Sequence, residues 1–270
     1  MPLFEVSGAK PTKINYQVVP NVVPQSTLFV HGNLASNRWW YPAEEVWKKQ
    51  AQGQDFKGSL IYAEFRGCGG SQAPASLEEV SMHLFADDFI SLVKSLKLGP
   101  VNLVGHSTGG LIVSLMMAKA PELFNKAVLL DPVGAKGVTF DRNMIAAFEQ
   151  MKNDKNLTAA VIGSTIHNNN PETDFFKQVV VEDAFKAVKT VGHWVLEALD
   201  GLDVRDELKA VKHPVLVLHG EHDVLLPVAD SKELAALFVN GQFKTVPGQG
   251  HCANAENPDL FVKITSQFLF

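Results

Sequence analysis

Gly105-His106-Ser107-Thr108-Gly109 sets one serine between two glycines. An alcohol is a poor nucleophile at neutral pH. It needs a base within hydrogen-bond reach and a third group to orient that base. The chain has nine histidines, and His251 stands out because Gly248-Gln249-Gly250-His251-Cys252 falls between the last expected strand and the last expected helix. A loop there can swing an imidazole over a sheet edge. Asp223, in Gly220-Glu221-His222-Asp223, is preferred as the orienting acid. Asp131 is the second choice and Glu221 the third. Asp223 and Asp131 both satisfy the chain order serine, acid, histidine. These residue types together suit acyl transfer through Ser107. Its tetrahedral oxyanion needs two preorganised N–H donors, which the backbones of Thr108 and Asn33 are placed to supply.

The serine pattern alone arises by accident in about one chain in ten of this length, so its setting decides. Val101–Val104 reads as a strand, and Leu111, Ile112, Leu115, Met116 and Ala118 recur at helical spacing up to Pro121. Strand, tight turn and helix put Ser107 at the turn. Gly105 and Gly109 then lie where a Cβ would collide. The helix start aims free N–H groups and the positive end of its dipole at an anion beside Ser107.

The other elements repeat this rhythm. Strands are expected at Phe4–Ser7, Lys13–Val19, Ser26–Val30, Ser59–Glu64, Ala127–Leu130, Pro214–Leu218 and Gln242–Val246. Helices are expected at Trp39–Gln52, Ser81–Leu98, Ala229–Val239 and Pro258–Phe268. Alternation of this kind predicts an α/β fold, a mostly parallel sheet with helices on both faces. Reactive groups in such sheets gather past the carboxyl ends of strands. Asn33, Ser107, Asp131, Asp223 and His251 all fall there. From Gly134 to Val211 the strand pattern stops and three apolar helical clusters replace it, around Phe148, Phe176 and Trp194. Residues 1–133 and 212–270 are therefore expected to form the core, and 134–211 an inserted helical cap.

A chain of 270 residues with 46% hydrophobic and 20% charged content supports a sizeable core. A net charge of −5 argues against nucleic acid or an anionic membrane as the main partner. No apolar run approaches the ~20 residues of a membrane span. Met1 to Glu5 carry no basic segment leading into an apolar one, so no secretory leader is expected, and the cytoplasm is the expected compartment. Two cysteines, Cys68 and Cys252, make no disulfide framework, and their surroundings suggest no metal site.

His31-Gly32-Asn33, Arg66-Gly67-Cys68-Gly69-Gly70-Ser71, Gly105 to Gly110, Gly220 to Pro227 and Gly250-His251, taken together and in order, resemble the α/β-hydrolase superfamily. The likeness is to the serine branch with a helical cap between the sixth and seventh core strands. It implies a Ser107–His251–Asp223 triad with Thr108 and Asn33 as oxyanion donors, and needs no cofactor or metal. His31 and His106 are then expected to hold loops, and Arg66 to shape a turn. The family often has Asp where this chain has Glu64, a structural position. Leu34, Phe148 and Trp194 are candidates to touch substrate.

The expected reaction is hydrolysis of a small or medium, largely apolar ester or lactone. Carbon–carbon cleavage of a diketone and perhydrolase-type chemistry use a similar triad. A ligand receptor on the same scaffold is the alternative outside enzymes. Dehalogenase and epoxide-hydrolase chemistry needs a carboxylate where Ser107 stands. Oligomeric state is not legible in the sequence.

Overall fold

Short runs in which every residue is buried require a sheet covered on both faces, and several strands of this chain are of that kind. The computed structural model describes residues 2–270. Its first half runs β1 (Leu3–Val6), β2 (Thr12–Val23), β3 (Thr27–Val30), α1 (Tyr41–Gln50), β4 (Gly58–Ala63), α2 (Met82–Leu96), β5 (Val101–His106), α3 (Thr108–Lys119) and β6 (Phe124–Leu130). A helical insertion follows, with α4 (Met144–Met151), α5 (Lys155–Gly163), α6 (Val181–Thr190), α7 (Trp194–Leu199) and α8 (Arg205–Leu208). The chain closes with β7 (Pro214–Gly220), α9 (Val228–Leu237), β8 (Asn240–Val246), α10 (Ala253–Glu256) and α11 (Pro258–Leu269).

The eight strands form one sheet in the order β1-β2-β4-β3-β5-β6-β7-β8. Pairings from β4 to β8 are parallel, while β2 is antiparallel to both of its neighbours. Alternation along the strands divides the core. Leu28, Val30, Leu103, Leu129 and Val217 join the apolar cluster that includes α2, α3 and the insertion. Phe29, Val104, Val128, Leu130 and Leu218 join the cluster under α1 and α11.

Several expected boundaries move for identifiable reasons. β5 extends past Val104 because Gly105 and His106 pair with Leu129 and Leu130. β2 continues to Val23, but its register against β4 slips between Val19 and Val23. Pro20 has no N–H to donate there, and Asn21 takes a left-handed φ of 61°. The segment expected to be helical from Trp39 starts with a 3₁₀ turn, Asn37–Trp40, before Pro42 opens α1.

The insertion contains α5, which no strong apolar stripe announced, and a π-turn at Phe176–Val180 leads into α6. It is tied to the loop after β3 through Asp183 on α6, which accepts from Ser36 Oγ at 2.5 Å and Arg38 Nε at 3.1 Å. Arg66 makes a buried two-point ion pair with Asp88 at 2.7 and 2.9 Å. That pair explains the acid on the apolar face of α2. Among the described residues, no helix is long and apolar enough to cross a membrane.

Candidate active site

Ser107 sits between β5 and α3 with φ 54° and ψ −121°, a strained backbone for a non-glycine residue. Its N–H donates to the Leu130 carbonyl at 2.9 Å, fixing the turn to β6. A Cβ on Gly105 would lie 2.4 Å from the Gly109 carbonyl oxygen, and one on Gly109 would lie 2.3 Å from that of Val30. The first glycine thus lets the helix meet its own strand, and the second lets it meet β3. Ser107 gives α3 no side-chain cap, and the Gly110 N–H is taken by the Ser107 carbonyl at 2.9 Å. Asn33 borders the cavity that Ser107 and His251 also line. Its side-chain oxygen is taken by the Leu34 N–H at 2.9 Å, which makes that side chain a turn former.

His251 donates from Nδ1 to Asp223 Oδ2 at 2.8 Å. A carboxylate on Nδ1 leaves Nε2 as the lone-pair nitrogen. Asp223 loses hydration on burial, which opposes its ionisation. The His251 bond and the N–H groups of Leu225 and Leu226 outweigh that loss and hold the carboxyl below the usual range. Of the three acids weighed from sequence, Asp223 makes the bond to the imidazole. Glu221 instead accepts from the Gly248 N–H at 2.8 Å and braces the loop. Asp131 accepts from the Gly220 N–H at 2.7 Å. Asp131, Asp223 and His251 bring ligand-type atoms within 4.8 Å of one another, a spacing a cation could share. The Asp223–His251 bond accounts for two of the three groups without one.

Other groups hold the imidazole loop. His106 donates from Nε2 to the His251 carbonyl at 2.8 Å, with its ring 4.9 Å from the His251 ring. Burial, with the His251 charge added, lowers its pKa to about 3, so the ring stays neutral. His31 bonds the Gly32 carbonyl through Nδ1 at 2.7 Å and stacks on Phe65, and burial lowers its pKa to about 4. Both histidines hold loops, as expected. Glu64 is likewise structural, accepting from Asn15 Nδ2, the Gly70 N–H and the Asn37 N–H.

Glu256 is the residue that sequence reading missed. Its carboxylate accepts the N–H groups on either side of His251, from Gly250 at 2.5 Å and Cys252 at 3.0 Å, and that of His167 from the insertion at 3.0 Å. An acid closing the short turn after His251 was the only available signal. Burial, followed by the charge of Glu256, pushes the Cys252 thiol well above its ordinary range, so it is no thiolate nucleophile.

Ser107, Thr108, Asn33, Leu34 and His251 line one cavity of about 340 Å³ between the sheet edge and the insertion. Phe148, Phe140, Met144, Ile162 and Leu196 close it from the insertion side, and among the described residues no Lys, Arg, Asp or Glu borders it. Trp194 is not in this wall. It is partly buried against the larger apolar cluster, because α7 turns Leu196 and Leu199 toward the cavity instead. A larger groove of about 510 Å³ runs behind the His251 loop along Asn168–Asn170 and includes neither Ser107 nor His251.

A profile described as "Alpha/beta hydrolase family" matches residues 27–264. The chain is 28% identical over 217 residues to a non-heme chloroperoxidase of Streptomyces lividans, covering 74% of this chain and 78% of that one. It is 26% identical over 227 residues to 3-oxoadipate enol-lactonase 2 of Acinetobacter baylyi, covering 80% of each. The esterase EaEST from Exiguobacterium antarcticum superposes with a TM-score of 0.81 at 19% identity, over 98% of both chains, a likeness of fold.

Proposed function

The chain belongs to the alpha/beta hydrolase family, and on that premise we propose that it is a serine hydrolase cleaving a small or medium, largely apolar carboxylic ester or lactone through an acyl-Ser107 intermediate. The observation that carries the reading is the 2.8 Å bond from His251 Nδ1 to Asp223, with His251 and Ser107 on one uncharged cavity wall. His251 Nε2 takes the Ser107 proton as the oxygen attacks the ester carbonyl. Asp223 stabilises the resulting imidazolium. The oxyanion faces the N–H groups of Thr108 and Asn33, and His251 returns the proton to the leaving alcohol. Water, deprotonated by the same imidazole, then releases the acid. Residues 134–211 act as the cap whose apolar side chains receive the acyl group. The lactonase relative supports the ester bond as target, since a lactone is a cyclic ester.

The test is fluorophosphonate labelling of wild type and Ser107→Ala, followed by a matched panel of linear esters, lactones and diketones. Labelling is expected only with Ser107 present, with turnover of neutral esters or lactones. Label retained by the alanine variant removes Ser107 from its role. Diketone cleavage without ester turnover replaces the ester reading with a carbon–carbon one.

A further inference from the structure

We propose that Asp131 is a protonated, neutral carboxylic acid that donates a hydrogen bond to Asp223 and so positions the acid that orients His251. The inference rests on the triad reading above and adds a fourth member behind it.

Asp131 leaves β6 with φ 43°, its N–H donating to the Leu218 carbonyl of β7 at 2.8 Å. The side chain is fully buried. Oδ1 accepts the Gly220 N–H at 2.7 Å. Oδ2 is equally buried, and among the described residues no N–H or O–H group donates to it. A buried carboxylate oxygen without a donor is costly. What faces the Asp131 carboxyl is the Asp223 carboxylate, within 4.8 Å together with the His251 ring nitrogen. Those groups come from three elements: Asp131 from β6, Asp223 from the loop after β7, and His251 from the loop after β8.

Two buried carboxylates this close disfavour each other's ionisation, so one of them holds its proton to higher pH. Asp223 has the imidazole and two backbone N–H groups to stabilise its charge. Asp131 has one N–H. The proton therefore belongs to Asp131, and on the unpartnered Oδ2 it converts an acceptor into a donor for which the neighbouring Asp223 carboxylate is the acceptor we assign. Every polar atom of the side chain is then satisfied.

The remaining titratable neighbours do not compete. His219 on β7 lies 3.5 Å from Asp131 Oδ1 and 3.9 Å from Asp223 Oδ2, too far for either bond, and its Nδ1 contacts Ser231 Oγ at 2.9 Å. Glu256 on α10 adds a further negative charge. Burial, with the charge of Asp223 next, pushes the Asp131 carboxyl well above its ordinary range, in the same direction as the geometry.

The decisive measurement needs no substrate. Infrared difference spectra of resting wild type against Asp131→Asn at neutral pH should show the carbonyl stretch of a protonated carboxylic acid, shifting in D₂O and lost in the variant. Absence of that band overturns the proposal while leaving the triad standing. Kinetics give the second arm. Asn keeps an oxygen for Gly220 and an N–H for Asp223, and it tolerates a positive φ. Asp131→Asn should therefore retain most of the turnover that Asp131→Ala loses. The alanine loss should be about tenfold or more in kcat with KM little changed. If the alanine variant does not fold, the infrared band and the acid limb of the Asn variant decide. An acid limb displaced by about one pH unit in Asp131→Asn means that an ionised neighbour was removed, and the proposal fails. Loss of turnover in Asp131→Asn while Asp223→Asn stays active fails the triad assignment instead, with Asp131 as the orienting acid.

Discussion

Replacing Glu256 tests whether the backbone around His251 must be held for the imidazole to work. One carboxylate takes three N–H groups, from Gly250 at 2.5 Å and from Cys252 and His167 at 3.0 Å each. Gly250 and Cys252 are buried, so two of these donors have no ready access to water, whereas His167 is only half-buried. An unsatisfied buried donor costs about 1–3 kcal/mol. Two such donors, with the third rescued by solvent, put Glu256→Ala about 2–6 kcal/mol below wild type. Glu256→Gln is milder: its oxygen still serves Cys252 and His167, while its amide opposes the Gly250 N–H, for a loss of about 1–3 kcal/mol. The loop keeps its bond from His106, so His251 shifts rather than leaves. A displacement near 1 Å costs on the order of 10²-fold in rate. A shift of up to about that size should make Glu256→Ala lose about ten- to a hundredfold in kcat, with Gln between it and wild type. Urea midpoints and kcat against KM on a neutral ester read both effects. An alanine variant with wild-type midpoint and kcat, or one no worse than glutamine, refutes the argument.

Gly109→Ala would set a Cβ 2.3 Å from the Val30 carbonyl oxygen, a contact that backbone must move to relieve. A loss above about 3 kcal/mol is expected, visible as a lower midpoint or insoluble protein, and a near-native midpoint contradicts the packing argument. His31 and His106 titrate at about 4 and about 3 in the folded chain, against about 6.5 when unfolded. Their folded pKa values are depressed, so the unfolded state binds more protons in that window and stability falls as pH drops below 6.5. By pH 5 each histidine removes on the order of 2 kcal/mol. The buried carboxyls of Glu64, Asp88, Asp131 and Asp183 are shifted up by burial and work the opposite way. The informative comparison is therefore wild type against His106→Gln, whose stability should decline less steeply between pH 6.5 and 5. Parallel curves would count against a neutral buried His106.

Much of this protein was legible in one dimension because its signals are local. Covered parallel strands read as apolar runs, Gly105 and Gly109 marked a turn too tight for side chains, and the break in alternation after Asp131 announced the helical insertion. The buried pairing of Asp88 with Arg66, by contrast, joins residues from separate elements and was not read from the sequence. Other features depended on which chain segments meet. Trp194 and Phe148 share the same aromatic, helical signature, yet only the rotation of α4 and α7 against the sheet edge puts one in the cavity wall and leaves the other outside. Asp131 and Asp223 each follow a strand and precede His251 in the chain, so order cannot separate them. The bond from His251 to Asp223 does. Glu256 reads as an ordinary acid in a short helix until His167 and the two flanks of His251 converge on it. Periodicity and turn chemistry are properties of neighbours along the backbone, and so the sequence alone determined most of the core strands and helices and the nucleophile turn. Pairing among side chains from separate strands depends on distances in space, and only the tertiary structure decided it.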